Sequence, residues 1–188
     1  HYVLDLWIEW WRKHRCRGDV VVVRYADDFV IGFENWSEAQ ACLEELRARL
    51  AKFGLKLHDT KTRLIEFGRF AADSRQQRGL GKPETFDFLG FTHYCGTTRK
   101  GTFQLKRKSI AKRLRAKLSA IKLELHRRMH ARVCALGYWL RSVVRGWFQY
   151  HAVPHNFESL AEFRKQVGRL WLQALRRRSQ KKARWTWQ

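Results

Sequence analysis

Two adjacent carboxylates, Asp27 and Asp28, are the residues of this 188-residue sequence whose types and spacing best suggest chemistry. They lie between two apolar runs in the stretch VVVVRYADDFVIGF, residues 20–33. Aspartates are common in turns, so a purely structural role is the alternative for a bare pair. Like charges at a tight turn repel each other, and Mg²⁺ would neutralise them while taking its other ligands from water and phosphate oxygens. The pair therefore points to metal-assisted phosphoryl transfer.

The element that would position these carboxylates is a β-hairpin with the aspartates at its turn. Apolar residues at 20–25 and 29–33 predict its two strands. A helix is predicted to follow, with Ser37 as N-cap and Gln40 completing a capping box. Gly54 is predicted to end that helix.

The remaining pattern divides the chain near residue 105. Before it we expect a helix over 2–14, a turn flanked by short strands over 55–67, a loop over 72–85, and a strand pair formed by 86–95 and 101–106. After it the apolar residues recur every three or four positions, which indicates amphipathic helices. Three are predicted, over 106–130, over 133–150, and after Pro154 as far as Ala174. The predicted fold class is α+β.

The distribution of charge separates the two halves. The chain has 39 Lys+Arg and 17 Asp+Glu, for a net charge of +22. Residues 1–100 hold 17 basic against 14 acidic residues, whereas residues 101–188 hold 22 against 3. A charge of this size favours a polyanionic partner. Because the charge is spread over several segments, nucleic acid is favoured over a membrane surface.

Cysteine spacing and hydropathy bear on where in the cell the protein is expected. The four cysteines form no CxxC pair, so we expect reduced thiols and no zinc site. His126 and His130 are four residues apart, but the residues between them do not resemble HExxH. No apolar run approaches the roughly 20 residues of a membrane span. We expect a soluble, cytoplasmic protein that is a piece of a longer chain.

Several stretches carry a resemblance to a known family. The string YADD between two apolar strands resembles the catalytic hairpin of reverse transcriptases. GLKLHDTKT resembles the polymerase block that follows it, and FDFLGF resembles the hairpin that grips the primer end. RGLGKPETFDFLGFTH, VRGWFQYH, FRKQVGRLW and RRRSQKKARWTW resemble bacterial group II intron reverse transcriptase/maturases. The chain is identified as a member of that group.

The resemblance implies roles for particular residues. Asp27 and Asp28 would be catalytic carboxylates that bind Mg²⁺, with Mn²⁺ as the alternative ion, and Tyr25 and Ala26 would shape the same hairpin. Lys61 would lie near the incoming triphosphate, although a solvated turn lysine is an equal alternative. The primer grip would consist of Phe88, Leu89, Gly90 and Phe91. The nucleic-acid-binding residues would be Arg107, Lys108, Lys112, Arg113, Arg115, Arg145, Arg176, Arg177, Arg178, Lys181, Lys182 and Arg184.

The implied protein is an RNA-directed DNA polymerase that also helps its intron RNA to fold for splicing. Residues 1–105 would be the end of the palm, and residues 106–188 an all-α, three-helix thumb or maturase domain. Its partners would be group II intron RNA, an RNA template–DNA primer duplex and dNTPs, within a bacterial ribonucleoprotein, and a homodimer stays open.

The family pattern is incomplete in this chain. The first catalytic aspartate of the family would precede His1, and Asp5 would be helical and structural. The chain alone would then be inactive. A non-catalytic RNA-binding maturase module with a remnant palm is the alternative. A polymerase of another bacterial reverse transcriptase group is a third option, which the maturase-like tail disfavours.

Overall fold

The structure is a computed structural model that describes residues 3–178. These residues form six helices and five strands in two antiparallel sheets, which confirms the predicted α+β class. They fall into two compact units that divide between Glu66 and Phe67. The predicted domain boundary at residue 105, between a palm part and a helical thumb, stays a prediction.

The N-terminal unit contains two helices and a β-hairpin. Its elements are α1 (Asp5–Arg15), β1 (Val20–Tyr25), β2 (Asp28–Phe33) and α2 (Trp36–Ala51). Ile8 and Trp11 of α1 and Cys42 of α2 form its buried cluster. The Trp11 ring meets Phe33 of β2 edge-on at 5.8 Å, and its indole Nε1–H donates to Glu45 Oε2 at 3.0 Å. The buried indole therefore has its polar atom satisfied.

Helix α2 begins earlier than predicted and ends where predicted. Its N-cap is Asn35 in extended backbone, so the prediction of Ser37 as the cap is wrong. The Asn35 side chain makes no capping hydrogen bond, and Ser37 lies inside the first turn, so the predicted capping box with Gln40 does not form at this helix start. At the other end, Gly54 has a φ of +68° and donates to the Ala51 carbonyl, while Leu55 donates to the Leu50 carbonyl. This pair of bonds is a Schellman motif.

Two segments differ from the sequence-based expectation. Residues 55–67 form no strand, and no described strand pairs with them, so the short strands predicted there are wrong. The predicted loop over 72–85 is wrong in its first part, where α3 (Ala71–Gln77) forms. The residues of α3 include no Gly or Pro, and Gly79, at a φ of +67°, comes only after the helix has ended. The punctuating residues therefore mark the end of a short helix rather than a loop throughout.

The C-terminal unit holds a three-stranded sheet and the remaining helices. The strands are β3 (Phe86–Phe88), β4 (Phe91–Thr97) and β5 (Phe103–Ser109), paired in that order. Since β5 includes residues 106–109, the prediction that Arg107 and Lys108 begin a helix is wrong. They pair with His93 and Thr92 of β4, so ladder hydrogen bonds hold them in a strand.

Three long helices follow the sheet: α4 (Ala111–Arg127), α5 (Val133–His151) and α6 (Phe157–Arg178). This confirms the three predicted helices, with the first one beginning at Ala111. The core that they share consists of Ile121, Leu125, Leu136, Leu140, Phe163 and Val167. Phe163 is fully buried and stacks on Trp147 at 4.8 Å. Across residues 3–178, none of the helices is both long and apolar enough to cross a membrane.

Candidate active site and nucleic-acid interface

The β1–β2 hairpin is present as predicted, with the aspartates at its end. Tyr25 pairs with Asp28, so Ala26 and Asp27 form a two-residue tip. Ala26 has a φ of +52°, which is uncommon for a residue with a side chain. Asp28 is the first residue of β2, and both carboxylates are exposed. The hairpin therefore presents two neighbouring acidic side chains to solvent.

These two carboxylates supply hard oxygen donors of the kind that Mg²⁺ prefers. Within residues 3–178, no cationic side chain forms an ion pair with Asp27 or Asp28. The same residues contain no group of three His, Cys, Asp or Glu side chains that could hold an ion alone. Mg²⁺ commonly takes one or two protein carboxylates and obtains its other ligands from water and phosphates. The hairpin fits that pattern.

Lys61 lies in an exposed turn of the N-terminal unit. The turn is closed by the N–H groups of Lys61 and Thr62, which both donate to the His58 carbonyl at 3.0 and 2.8 Å. The assignment of Lys61 to a triphosphate site stays a prediction.

The residues predicted as primer grip form a second tight hairpin, between β3 and β4. Phe88 pairs with Phe91, which leaves Leu89 and Gly90 as a two-residue tip. Both tip residues have a positive φ, +47° for Leu89 and +83° for Gly90. Positive φ at both positions is the signature of a type I′ turn.

Tyr150 of α5 and Ile110, the N-cap residue of α4, both bond to this tip. The Tyr150 hydroxyl donates to the Leu89 carbonyl at 2.8 Å, and the Ile110 N–H donates to the Gly90 carbonyl at 3.2 Å. A Cβ at Gly90 would lie 3.1 Å from Arg113 Nη1 and 3.3 Å from Tyr150 Cε1. The close approach that Gly90 permits is thus made by side chains of α4 and α5.

A buried polar cluster, formed by Ser109, His151 and Asn156, was not expected from the sequence. Asn156 Oδ1 accepts from the Ser109 N–H at 2.8 Å, and Asn156 Nδ2 donates to the His151 carbonyl at 2.8 Å. The Ser109 hydroxyl lies 3.0 Å from His151 Nδ1. All three side chains are buried. A substrate therefore cannot reach the Ser109 hydroxyl, which excludes a role as a reactive serine. The cluster ties the end of β5 to α5 and to the start of α6.

Burial lowers the pKa of His151 below its ordinary value, and the positive charge of Arg113 lowers it further. The cluster left no local sequence signal, because Ser109 lies 42 residues from His151 and 47 residues from Asn156 in the chain.

The predicted nucleic-acid-binding residues fall on several elements of the C-terminal unit. Those on β5 are Arg107 and Lys108, and the exposed ones on helices are Lys112, Arg113, Arg115, Arg145, Arg176 and Arg177. Arg178 is only half-exposed and donates to the Ala131 carbonyl, which is a structural contact. Lys181, Lys182 and Arg184 lie outside the described residues.

Comparison with known families bears on the first half of the chain. Residues 1–93 match the family model described as reverse transcriptase (RNA-dependent DNA polymerase). This segment is similar to reverse transcriptases. No curated protein matches the chain.

The reverse transcriptase-like segment includes both hairpin tips. Asp27, Asp28 and Lys61 lie within it, as do the four predicted primer-grip residues, Phe88 to Phe91. The predicted basic residues, from Arg107 onward, lie beyond residue 93. The reverse transcriptase similarity thus supports the polymerase part of the sequence-based hypothesis, while the group II intron type stays a prediction.

Proposed function

We propose that this chain is the C-terminal part of an RNA-directed DNA polymerase of group II intron type. In this proposal residues 1–105 complete the palm, and residues 106–188 are the thumb or maturase domain that binds intron RNA and the template–primer duplex. The reaction is template-directed nucleotidyl transfer, in which the 3′ oxygen of the primer attacks the α-phosphate of a dNTP and pyrophosphate leaves.

One observation carries the proposal: two exposed carboxylates, with no cation partner among residues 3–178, stand at the end of a hairpin within a reverse transcriptase-like segment. Asp27 and Asp28 would hold Mg²⁺, or Mn²⁺ in its place, with Asp27 the more direct ligand. The bound ions would stabilise the attacking and leaving oxygens of the transfer. The upstream aspartate of the family would come from the preceding part of the protein.

Other residues would position the substrates. The β3–β4 tip, with Leu89 and Gly90, would orient the primer end, and Lys61 would neutralise charge on the incoming triphosphate. The exposed basic residues of α4, α5 and α6 would contact phosphates, which predicts binding that weakens steeply as salt is raised.

The charge of the C-terminal part also supports splicing assistance. Residues 101–188 carry 22 basic and 3 acidic residues, an excess of positive charge that favours a polyanionic partner. Structured intron RNA is a polyanion that would occupy this surface in a bacterial ribonucleoprotein.

The test is primer extension on an RNA template with Mg²⁺, using the chain joined to its upstream palm and fingers. Asp27→Asn should abolish synthesis, because a metal ligand at the reacting phosphate is lost, and should leave RNA binding within about twofold. Asp19→Asn is the matched control, since Asp19 is an exposed aspartate next to the start of β1.

Equal synthesis by the wild type and Asp27→Asn would refute the polymerase assignment of this hairpin. Absence of synthesis from both, with tight and salt-sensitive RNA binding, would instead favour a non-catalytic maturase module with a remnant palm.

A further inference from the structure

Arg24 links the aspartate-bearing turn to helix α1. Its Nε–H donates to the Ala26 carbonyl at 2.9 Å, two residues along the chain. Its Nη1 forms an ion pair with Asp5 in the first turn of α1. The two side chains are 32% and 35% exposed. They lie at a shallow cleft of about 550 Å³ between α1 and the hairpin.

The bond to Ala26 acts on the peptide group directly before Asp27. A peptide unit is planar, so fixing the direction of the Ala26 carbonyl also fixes the direction of the Asp27 N–H. At the tip Ala26 has a positive φ and Asp27 does not, so this is not a type I′ turn, in which both central residues have a positive φ. Turn types with the same corner residues differ mainly by a rotation of the central peptide. Such a rotation would carry the Ala26 carbonyl away from Arg24, reverse the Asp27 N–H and shift the Asp27 side chain.

We propose that Arg24 is a positioning residue that holds the central peptide of the turn in one orientation, with Asp5 fixing the guanidinium. The role of Asp27 in metal binding rests on the proposed function, whereas the restraint on the peptide does not. In this role Arg24 acts through Asp27 rather than on the reacting atoms.

A second ion pair on α1 provides the comparison. Arg12 pairs with Glu9 at 2.8 Å and lines the same cleft, but it makes no bond to the turn. Exposed ion pairs contribute little on their own. If Arg24 served only as a surface charge, replacing it would have no more effect than replacing Arg12.

The restraint can be observed directly by NMR. Labelling alanine with ¹³C at the carbonyl and aspartate with ¹⁵N selects Ala–Asp peptide bonds, and this sequence has two, Ala26–Asp27 and Ala72–Asp73. The second lies in α3 and serves as an internal reference. Arg24→Met removes the donors and keeps an unbranched stem. It should shift or broaden the Ala26–Asp27 signal and leave the Ala72–Asp73 signal in place, whereas Arg12→Met should leave both unchanged.

The consequence for activity is measured in the full-length protein. Arg24→Met should lower the rate of primer extension at saturating template–primer by about 10- to 100-fold, the effect expected for one charge-assisted hydrogen bond. Its affinity for template–primer should stay within about twofold. Arg24→Lys, which restores one donor, should recover part of the rate.

Asp5 tests whether the two residues act as one unit. Asp5→Asn should lower the rate less than Arg24→Met, and the double variant should be no worse than Arg24→Met alone, because Asp5 acts through Arg24. Additive losses would contradict this arrangement.

An Ala26–Asp27 signal that does not respond to Arg24→Met overturns the proposal, whatever the enzyme does. A responding signal in a protein without Asp27-dependent synthesis keeps the restraint and refutes the proposed function instead. Synthesis that depends on Asp27 but not on Arg24 overturns the positioning role.

Discussion

The Tyr150 hydroxyl donates a hydrogen bond of 2.8 Å to the Leu89 carbonyl, across 61 residues of sequence. The Tyr150 ring also stacks on Phe91, with centroids 5.8 Å apart. Helix α5 thus holds the tip of the β3–β4 hairpin by both a polar and an aromatic contact.

Tyr150→Phe keeps the ring and removes the hydrogen bond. We expect a loss of about 0.5–1.5 kcal/mol in the free energy of unfolding, measured by urea denaturation. Tyr138→Phe is the matched control, because Tyr138 is an exposed tyrosine of the same helix. A larger effect at Tyr138 than at Tyr150 would contradict the anchoring role.

Gly90→Ala should destabilise the protein through both backbone and contacts. An alanine at a φ of +83° costs about 1–2 kcal/mol from the backbone alone. Its Cβ would also lie 3.1 Å from Arg113 Nη1. Gly101→Ala separates the two causes, since Gly101 has a φ of +81° and no atom within 4 Å of an added Cβ. Thermal denaturation should give a lower Tm for Gly90→Ala than for Gly101→Ala. Equal Tm values would mean that the side chains next to Gly90 move aside without a cost in stability.

Asn156→Ala should be more damaging than a surface substitution. It leaves the buried Ser109 N–H without its acceptor, and an unsatisfied buried group costs about 1–3 kcal/mol. Ser109→Ala keeps that N–H bonded to Asn156 and should cost less. Urea denaturation of the two variants gives the order, and a reversed order would show that the hydroxyl is the more important group.

The lowered pKa of His151 predicts that stability falls in acid. Above pH 6.5 the histidine is neutral in both states, and the stabilising cluster is intact. As the pH falls below 6.5, the unfolded state binds its proton first, so the free energy of unfolding decreases until the lower folded pKa is passed. The Arg113 guanidinium opposes protonation in the folded state.

His151→Asn isolates this contribution to the pH dependence. The pKa of His93 is also lowered, by burial first, so part of the acid loss belongs to that residue. Urea denaturation of wild type and His151→Asn between pH 5 and 8 should give a shallower decline for the variant. Parallel curves would place the effect at His93.

Local sequence patterns predicted much of the fold. Four valines, two aspartates and a second apolar run defined the β1–β2 hairpin, since short apolar runs and turn residues act over a few positions. The apolar spacing of α4, α5 and α6 predicted their buried faces, because helical period is also a local property. The same reasoning failed at the end of β5, where residues 106–108 carry charges that suit either a helix face or a strand.

For the candidate site too, some features follow from local sequence and others depend on tertiary packing. The sequence by itself determined that Asp27 and Asp28 stand at a hairpin tip, because strand, turn and strand are consecutive. Only the tertiary structure decided that Arg24 pairs with Asp5, that Tyr150 reaches Leu89, and that Ser109 meets Asn156. These partners lie 19 to 61 residues apart, and their meeting depends on how whole elements pack, which no local period encodes.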